Sequence, residues 1–275
     1  MTMTATCSPP ASSVRPMTSN NIDQSPALMI KSANSPGAYE LKCLIPGETA
    51  EAIQATLNNR MQLDSFCKRS AGNEYRITTL ATDTPELAVF HRVGKFARTK
   101  HRVRRYGDED KVYLERKTRK GHRVRKQRAK LDLEHLSMLS NPDNNGDASE
   151  ENWFATAIRE NSLSPVCAMT CLRRAWFGQS DDGTTRLTMD RQLEAALINE
   201  WSFTRHPDTT LITAENVICE FKFVGAMPLM FKQIIEMFSL NPGGFSKYRN
   251  SLGCLTGKSS VRETSSDVVL EPKHA

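Results

Sequence analysis

Charged residues recur at every second position in several short stretches, and that spacing is the first sign of chemistry. Glu40 and Lys42 alternate with Leu41 and Cys43, Lys100, Arg102 and Arg104 flank Val103, and Glu115, Lys117 and Arg119 follow Val112 and Leu114. Further on, Arg186, Thr188 and Asp190 alternate with Leu187 and Met189, and Glu220 and Lys222 with Cys219, Phe221 and Phe223. Residues two apart in a strand share a face, so each stretch reads as a strand with one charged side and one apolar side. A single strand of this kind could simply turn its charged face to solvent. Five of them are better satisfied by an antiparallel barrel whose charges point inward and whose apolar faces lie under helices. About a dozen converging cations are too costly to desolvate alone, so the interior has to be wet and to hold an anionic guest. A chain of phosphates meets that requirement.

The elements that must position these residues can be read around them. Alternation predicts strands over Ala38 to Pro46, Tyr75 to Thr82, Arg98 to Tyr106, Lys111 to Arg119, Val166 to Trp176, Arg186 to Leu193 and Asn216 to Phe223. Helices are predicted over Glu48 to Met61, where Ala50, Ile53, Leu57 and Met61 form one apolar face, and over Lys126 to Leu139, Glu150 to Asn161 and Leu229 to Phe238. Asn141 to Asp147 is dense in turn formers and reads as a loop. The fold class is therefore α+β, an antiparallel barrel tunnel with helices packed outside. Residues 1–35 are expected to be a disordered leader, 36–254 the tunnel domain and 255–275 a disordered tail, since neither end offers periodic apolar positions.

Composition limits the partners. The 275 residues carry a formal net charge of +6, and Arg92 to Lys130 holds seventeen Lys or Arg against four Asp or Glu. Such a run can serve an anionic ligand or form a solvated face, but it has few aromatics for base stacking, so nucleic acid is not expected as a partner. The seven cysteines are scattered without a CxxC pair, which suits a reducing cytoplasmic compartment and predicts no zinc. Without an apolar signal segment or a run of eighteen apolar residues, the chain is expected to be neither secreted nor membrane-spanning. There is no P-loop and no dinucleotide fingerprint, and the histidines His91, His101, His122, His135 and His206 stand apart from any nucleophile the sequence could place beside them.

The ordered set Glu40-Leu41-Lys42, Arg102-Val103-Arg104-Arg105-Tyr106-Gly107, Leu114-Glu115-Arg116-Lys117 and Lys126-Gln127-Arg128 resembles the VTC domain. So do Arg173, Arg186-Leu187-Thr188-Met189-Asp190, Glu220-Phe221-Lys222-Phe223 and Phe245-Ser246-Lys247-Tyr248. That domain is the polyphosphate polymerase branch of the triphosphate tunnel metalloenzymes, and the resemblance runs from about Ala38 to Arg249. It implies a phosphotransferase that moves the γ-phosphate of ATP onto a growing polyphosphate chain with a divalent metal, manganese in the first place and magnesium as the alternative. Lys42, Arg102, Arg104, Lys117, Arg173, Arg186 and Lys222 then stand as catalytic phosphate contacts, and Lys126, Arg128, Ser246 and Lys247 as substrate-binding residues. Glu220 resembles the metal carboxylate. Glu115 either assists it or only pairs with neighbouring cations, and Ser246 either places a phosphate or caps a local turn.

Two positions depart from the family pattern. Ala38 stands where tunnel hydrolases carry a first glutamate, which favours the polymerase branch, and Cys171 stands in place of a tyrosine. Phosphoryl transfer needs alignment and charge neutralisation more than covalent help, and the terminal oxygen of a phosphate chain is already ionised near neutral pH. The alternatives are a tripolyphosphatase or nucleoside triphosphatase on the same fold, and a non-catalytic polyphosphate-binding protein. ATP and polyphosphate are the expected partners, and the sequence names no membrane-bound partner.

Overall fold

The computed structural model describes residues 38–57, 60–120, 123–141 and 152–258. Along the chain come β1 (Tyr39–Ile45), α1 (Gly47–Leu57), β2 (Gln62–Leu63), α2 (Ser65–Arg69), β3 (Tyr75–Asp83), β4 (Thr99–Tyr106), β5 (Lys111–Lys120) and β6 (Arg123–Asp132). They are followed by α3 (Asn152–Asn161), β7 (Ser164–Ser180), β8 (Gly183–Leu197), β9 (Thr210–Leu211), β10 (Val217–Phe223), α4 (Leu229–Met237) and α5 (Lys247–Thr256). The predicted leader, most of the predicted loop and residues 259–275 of the predicted tail lie outside the described residues.

Every predicted strand forms, because the alternation of apolar and charged positions is what a sheet with two unlike faces demands. All pairings are antiparallel, in the order β1-β10-β8-β7-β3-β4-β5-β6, with β2 and β9 attached to β7 and β8. The apolar faces pack under helices. Phe221, Leu187 and Met189 lie against Ile53 and Leu57 of α1 and Phe231 and Ile234 of α4, with the Phe221 and Phe231 rings edge-on at 5.1 Å. Val103 and Leu114 lie against Phe154 and Ile158 of α3. Each such side chain removed from water contributes roughly 1.5–3 kcal/mol, so apolar burial fixes which face turns outward.

One expected helix is a strand. Lys126 to Leu139 carries good helix formers and spaced leucines, yet Arg123–Asp132 pairs with β5 along its whole length, from Lys120↔Arg123 to Lys111↔Asp132. Tertiary pairing overrides local propensity there. Leu133, Leu136 and Leu139 belong to a following 3₁₀ helix, Leu133–Ser140, which buries the last two, three residues apart, as its tighter turn requires. The sequence reading also missed α5. Ser246 caps it by accepting from Arg249 N at 3.5 Å, and Gly257 ends it at φ 67, in the left-handed region that glycine adopts freely.

The sheet is tunnel-like, and among the described residues no strand pairing joins its end strands, β1 and β6. Side chains and the segment leading into α5 bridge part of the gap. Lys117 of β5 reaches Glu40 of β1 at 2.7 Å, so the two sides of the sheet meet across the interior. Gly243 N donates to Lys42 O at 2.8 Å and so occupies part of the free edge of β1. The Tyr248 hydroxyl of α5 donates to the buried Asp83 carboxylate at the end of β3, at 2.5 Å. That carboxylate also accepts from the backbone of Thr84, Val89 and Phe90, which anchors α5 to the end of β3.

Candidate functional site

Residues paired directly across antiparallel strands share a face, so the register alone assembles the charged lining. Glu40, Lys222 and Arg186 form one row and Lys42, Glu220 and Thr188 the next. Arg173 stands opposite both Asp190 and Tyr75. Arg102, Glu115 and Arg128 form a row on β4, β5 and β6, and Lys100, Lys117 and Lys126 form its neighbour.

Within that lining the charges gather around carboxylates in three groups. Glu115, only 1% exposed, accepts from Arg102 at 2.7 Å, from Arg128 Nε at 2.9 Å and from Lys126 at 2.7 Å, with Arg104 at 4.0 Å. Burial alone would raise its carboxyl, but Arg102, Arg104, Lys126 and Arg128 hold it well below the usual range. Arg128 also donates to the Tyr106 hydroxyl at 2.7 Å and lies over the Tyr113 ring at 4.4 Å. Arg104 donates to Thr79 at 3.3 Å. These contacts fix the guanidinium planes before any ligand arrives.

The second group joins Glu40 and Glu220, on paired strands, to three lysines. Lys42 lies 3.7 Å from each carboxylate, Lys222 lies 3.3 Å from Glu40 and 3.4 Å from Glu220, and Lys117 lies 2.7 Å from Glu40. Burial opposes ionisation of both acids. Lys222 leads the cations that overcome it, pushing Glu40 down to about 2 and holding Glu220 well below its ordinary value.

The third group centres on Asp190, which Arg173 grips with two nitrogens at 2.6 Å each. Lys247 donates to the same carboxylate at 2.5 Å and to the Cys171 thiol at 3.1 Å. Cys171 therefore lines the tunnel at the position where the family pattern has a tyrosine. Burial would raise the Asp190 carboxyl, but Arg173 and Lys247 hold it low. Arg186 shares the face, but its guanidinium is engaged by Asp64, the N-cap of α2, at 3.0 Å, by the Tyr75 hydroxyl at 3.4 Å and by the Phe177 ring at 4.8 Å. Ser246 caps α5 and also accepts from Lys100 at 3.3 Å.

The structure thus brings together Lys42, Lys117, Lys222 and Glu220 in one group, Arg102, Arg104, Lys126, Arg128 and Glu115 in another, and Arg173 with Lys247 in a third. Sequence reasoning missed Glu40, Asp190 and Asp64 as counter-ions and Tyr75 and Tyr106 as hydroxyl partners. Alternation already put Glu40 and Asp190 on charged faces. Asp64 precedes a five-residue helix and gave no periodic signal.

Among the described residues no group of three His, Cys, Asp or Glu is arranged to hold a metal ion. Glu40 and Glu220 nevertheless offer two carboxylates side by side. An all-oxygen pair of this kind suits a hard divalent cation whose remaining ligands are phosphate oxygens and water. Glu115 fits less well, because its two oxygens are engaged by cations.

The family model of the VTC domain matches residues 37–256. Among solved structures, a protein from Hippeastrum, named for adenylyl cyclase and described as having a dominant triphosphatase activity, is 13% identical, with 78% of this chain and 95% of that one covered and a TM-score of 0.46. A protein from Vibrio parahaemolyticus named for adenylate cyclase is 8% identical, with coverages of 78% and 98% and a TM-score of 0.43. A Pyrococcus furiosus protein is 11% identical, with coverages of 74% and 92% and a TM-score of 0.34. A search of curated proteins found no match. No helix among the described residues is long and apolar enough to cross a membrane.

Proposed function

Because the chain belongs to the VTC domain family, with the matched region spanning 37–256, we propose that it is a polyphosphate polymerase that transfers the γ-phosphate of ATP onto a polyphosphate chain held in the tunnel. Membership makes it a polyphosphate- or triphosphate-related enzyme, and the direction of transfer is our own reading. The observation that carries it is the state of the tunnel acids. Glu40, Glu115, Asp190 and Glu220 are all held below their ordinary range by paired cations. Acids held that low are poor proton acceptors at neutral pH, so none of these four carboxylates is suited to activating water. An ionised phosphate terminus needs no such base.

In this reading Arg102, Arg104 and Arg128 grip phosphate oxygens in forked contacts, while Lys42, Lys117, Lys126 and Lys222 exchange a carboxylate partner for a phosphate. Arg173 and Lys247, positioned by Asp190, and Arg186, positioned by Asp64, extend the contact along the tunnel. A divalent cation, manganese in our proposal, would be held by Glu220 with Glu40. When bound it would neutralise charge on the transferring phosphoryl oxygens. The cytoplasm is the proposed compartment, supported by the unpaired state of the six cysteines among the described residues.

Incubation of the purified protein with ATP and manganese, followed by polyphosphate staining on gels and phosphate-release assays, tests the proposal. Lengthening chains are expected. Phosphate release without chain growth would replace the polymerase with a hydrolase, and binding without turnover would leave a polyphosphate-binding protein.

A further inference from the structure

Lys42, Lys117, Lys126, Lys222 and Lys247 each lie within ion-pair distance of a tunnel carboxylate. Lys100 does not. Among the described residues its hydrogen-bond partner is the Ser246 hydroxyl, at 3.3 Å. The charged groups that bear on it most are cations from four directions: Arg249 of α5, Lys42 of β1, Arg92 from the segment before β4, and Lys117 directly opposite on β5. Burial first, and those cations second, push its ammonium down to about 7. An uncompensated lysine among like charges destabilises the empty tunnel, and a polyanion is the guest that would relieve it.

We propose that Lys100 is a further phosphate-contacting residue of the tunnel, binding one phosphate group of the polyanion together with the Ser246 hydroxyl. The proposal rests on the polyphosphate reading above and adds to it a lysine outside the motifs that carry the family resemblance. A proton should accompany that binding, in a direction set by the charges. Above neutral pH the empty protein holds Lys100 mostly uncharged, while a phosphate beside it restores the ammonium, so binding consumes a proton and affinity falls as pH rises. A lysine kept for folding would behave differently, since its loss would lower stability. Loss of Lys100 should leave the ligand-free melting temperature unchanged or higher, because among the described residues the side chain has a single hydrogen bond and no counter-charge to lose.

The test is calorimetry with inorganic tripolyphosphate near pH 8, in two buffers of different protonation enthalpy, on the wild type, Lys100→Met and Lys100→Arg. The wild type is expected to bind with proton uptake. Lys100→Met should bind about tenfold more weakly and take up fewer protons. Lys100→Arg should keep most of the affinity with reduced proton uptake, because a guanidinium stays charged throughout. Wild-type affinity and proton uptake in Lys100→Met, or unchanged proton uptake in Lys100→Arg, would overturn the Lys100 assignment and leave the polyphosphate reading standing. No binding of tripolyphosphate by the wild type would overturn both.

Discussion

Glu115 on β5 draws four cations, three of them arginine, whereas Glu40 and Glu220 on β1 and β10 share three lysines. The first side has a large excess of positive charge held in fixed planes by Thr79, Tyr106 and Tyr113. On the second side, compact ammonium groups stand between two acids and can change partners by rotation. The comparison teaches how one tunnel would both hold and transfer in the proposed function: the preset arginine side would fix the chain, and the lysine side would release its carboxylates when a phosphate and a metal arrive.

The largest effect should come from breaking the arginine side at its centre. Glu115→Gln leaves four cations without their buried counter-charge and should cost about 3–5 kcal/mol of stability, read by chemical denaturation. Glu220→Gln should cost clearly less, because Glu40 remains to pair with the same lysines. Equal costs would erase the distinction.

Breaking the lysine side should instead appear in turnover. Glu220→Ala removes a negative charge from a cationic tunnel, so triphosphate affinity should hold or tighten while metal-dependent transfer falls by about a hundredfold or more. Both are measured on one preparation across a manganese titration. Retained turnover with an unshifted manganese optimum would return Glu220 to a plain ion-pair role.

Acid should separate the two sides in order. His101, on the outer face of β4 against Phe154, is pushed down to about 4 by burial and by Arg116 and Lys95. A base whose folded value lies below its unfolded one stabilises fully above about 6.5, and that contribution is lost as pH falls through 4. The loss should be about 3 kcal/mol and should disappear in His101→Phe. Glu40, down at about 2, keeps its contribution above its ordinary 4.5 and loses it only as pH falls from there through 2. A single acid transition that His101→Phe leaves unmoved would defeat this ordering.

The smallest expected change is Lys222→Ala, which should weaken triphosphate binding and turnover together by about tenfold, since the ammonium would touch phosphate in ground and transition states alike. A loss confined to turnover would make Lys222 a transition-state contact only.

How much could be read beforehand depends on whether information is local. A strand's two-residue period is written in consecutive positions, so the inward set of Lys42, Arg102, Arg104, Lys117, Glu220 and Lys222 and the outward Phe221 and Phe223 were legible, as was the apolar face of α1. What only the tertiary structure decided is which charge meets which. Glu40 meets Lys117 across 77 positions of chain, and Asp190 meets Lys247 across 57. Such partners are set by strand order and register, which no short window contains. The same reason turned Lys126 to Asp132 from a plausible helix into part of β6, because the hydrogen-bond partners that chose between the two states lay on β5. It also decided where α5 docks, since its anchor, Asp83, is on β3. The types and phases of the tunnel residues are local properties of the chain, whereas their pairing into one arginine-rich and one lysine-rich side is a property of the folded sheet.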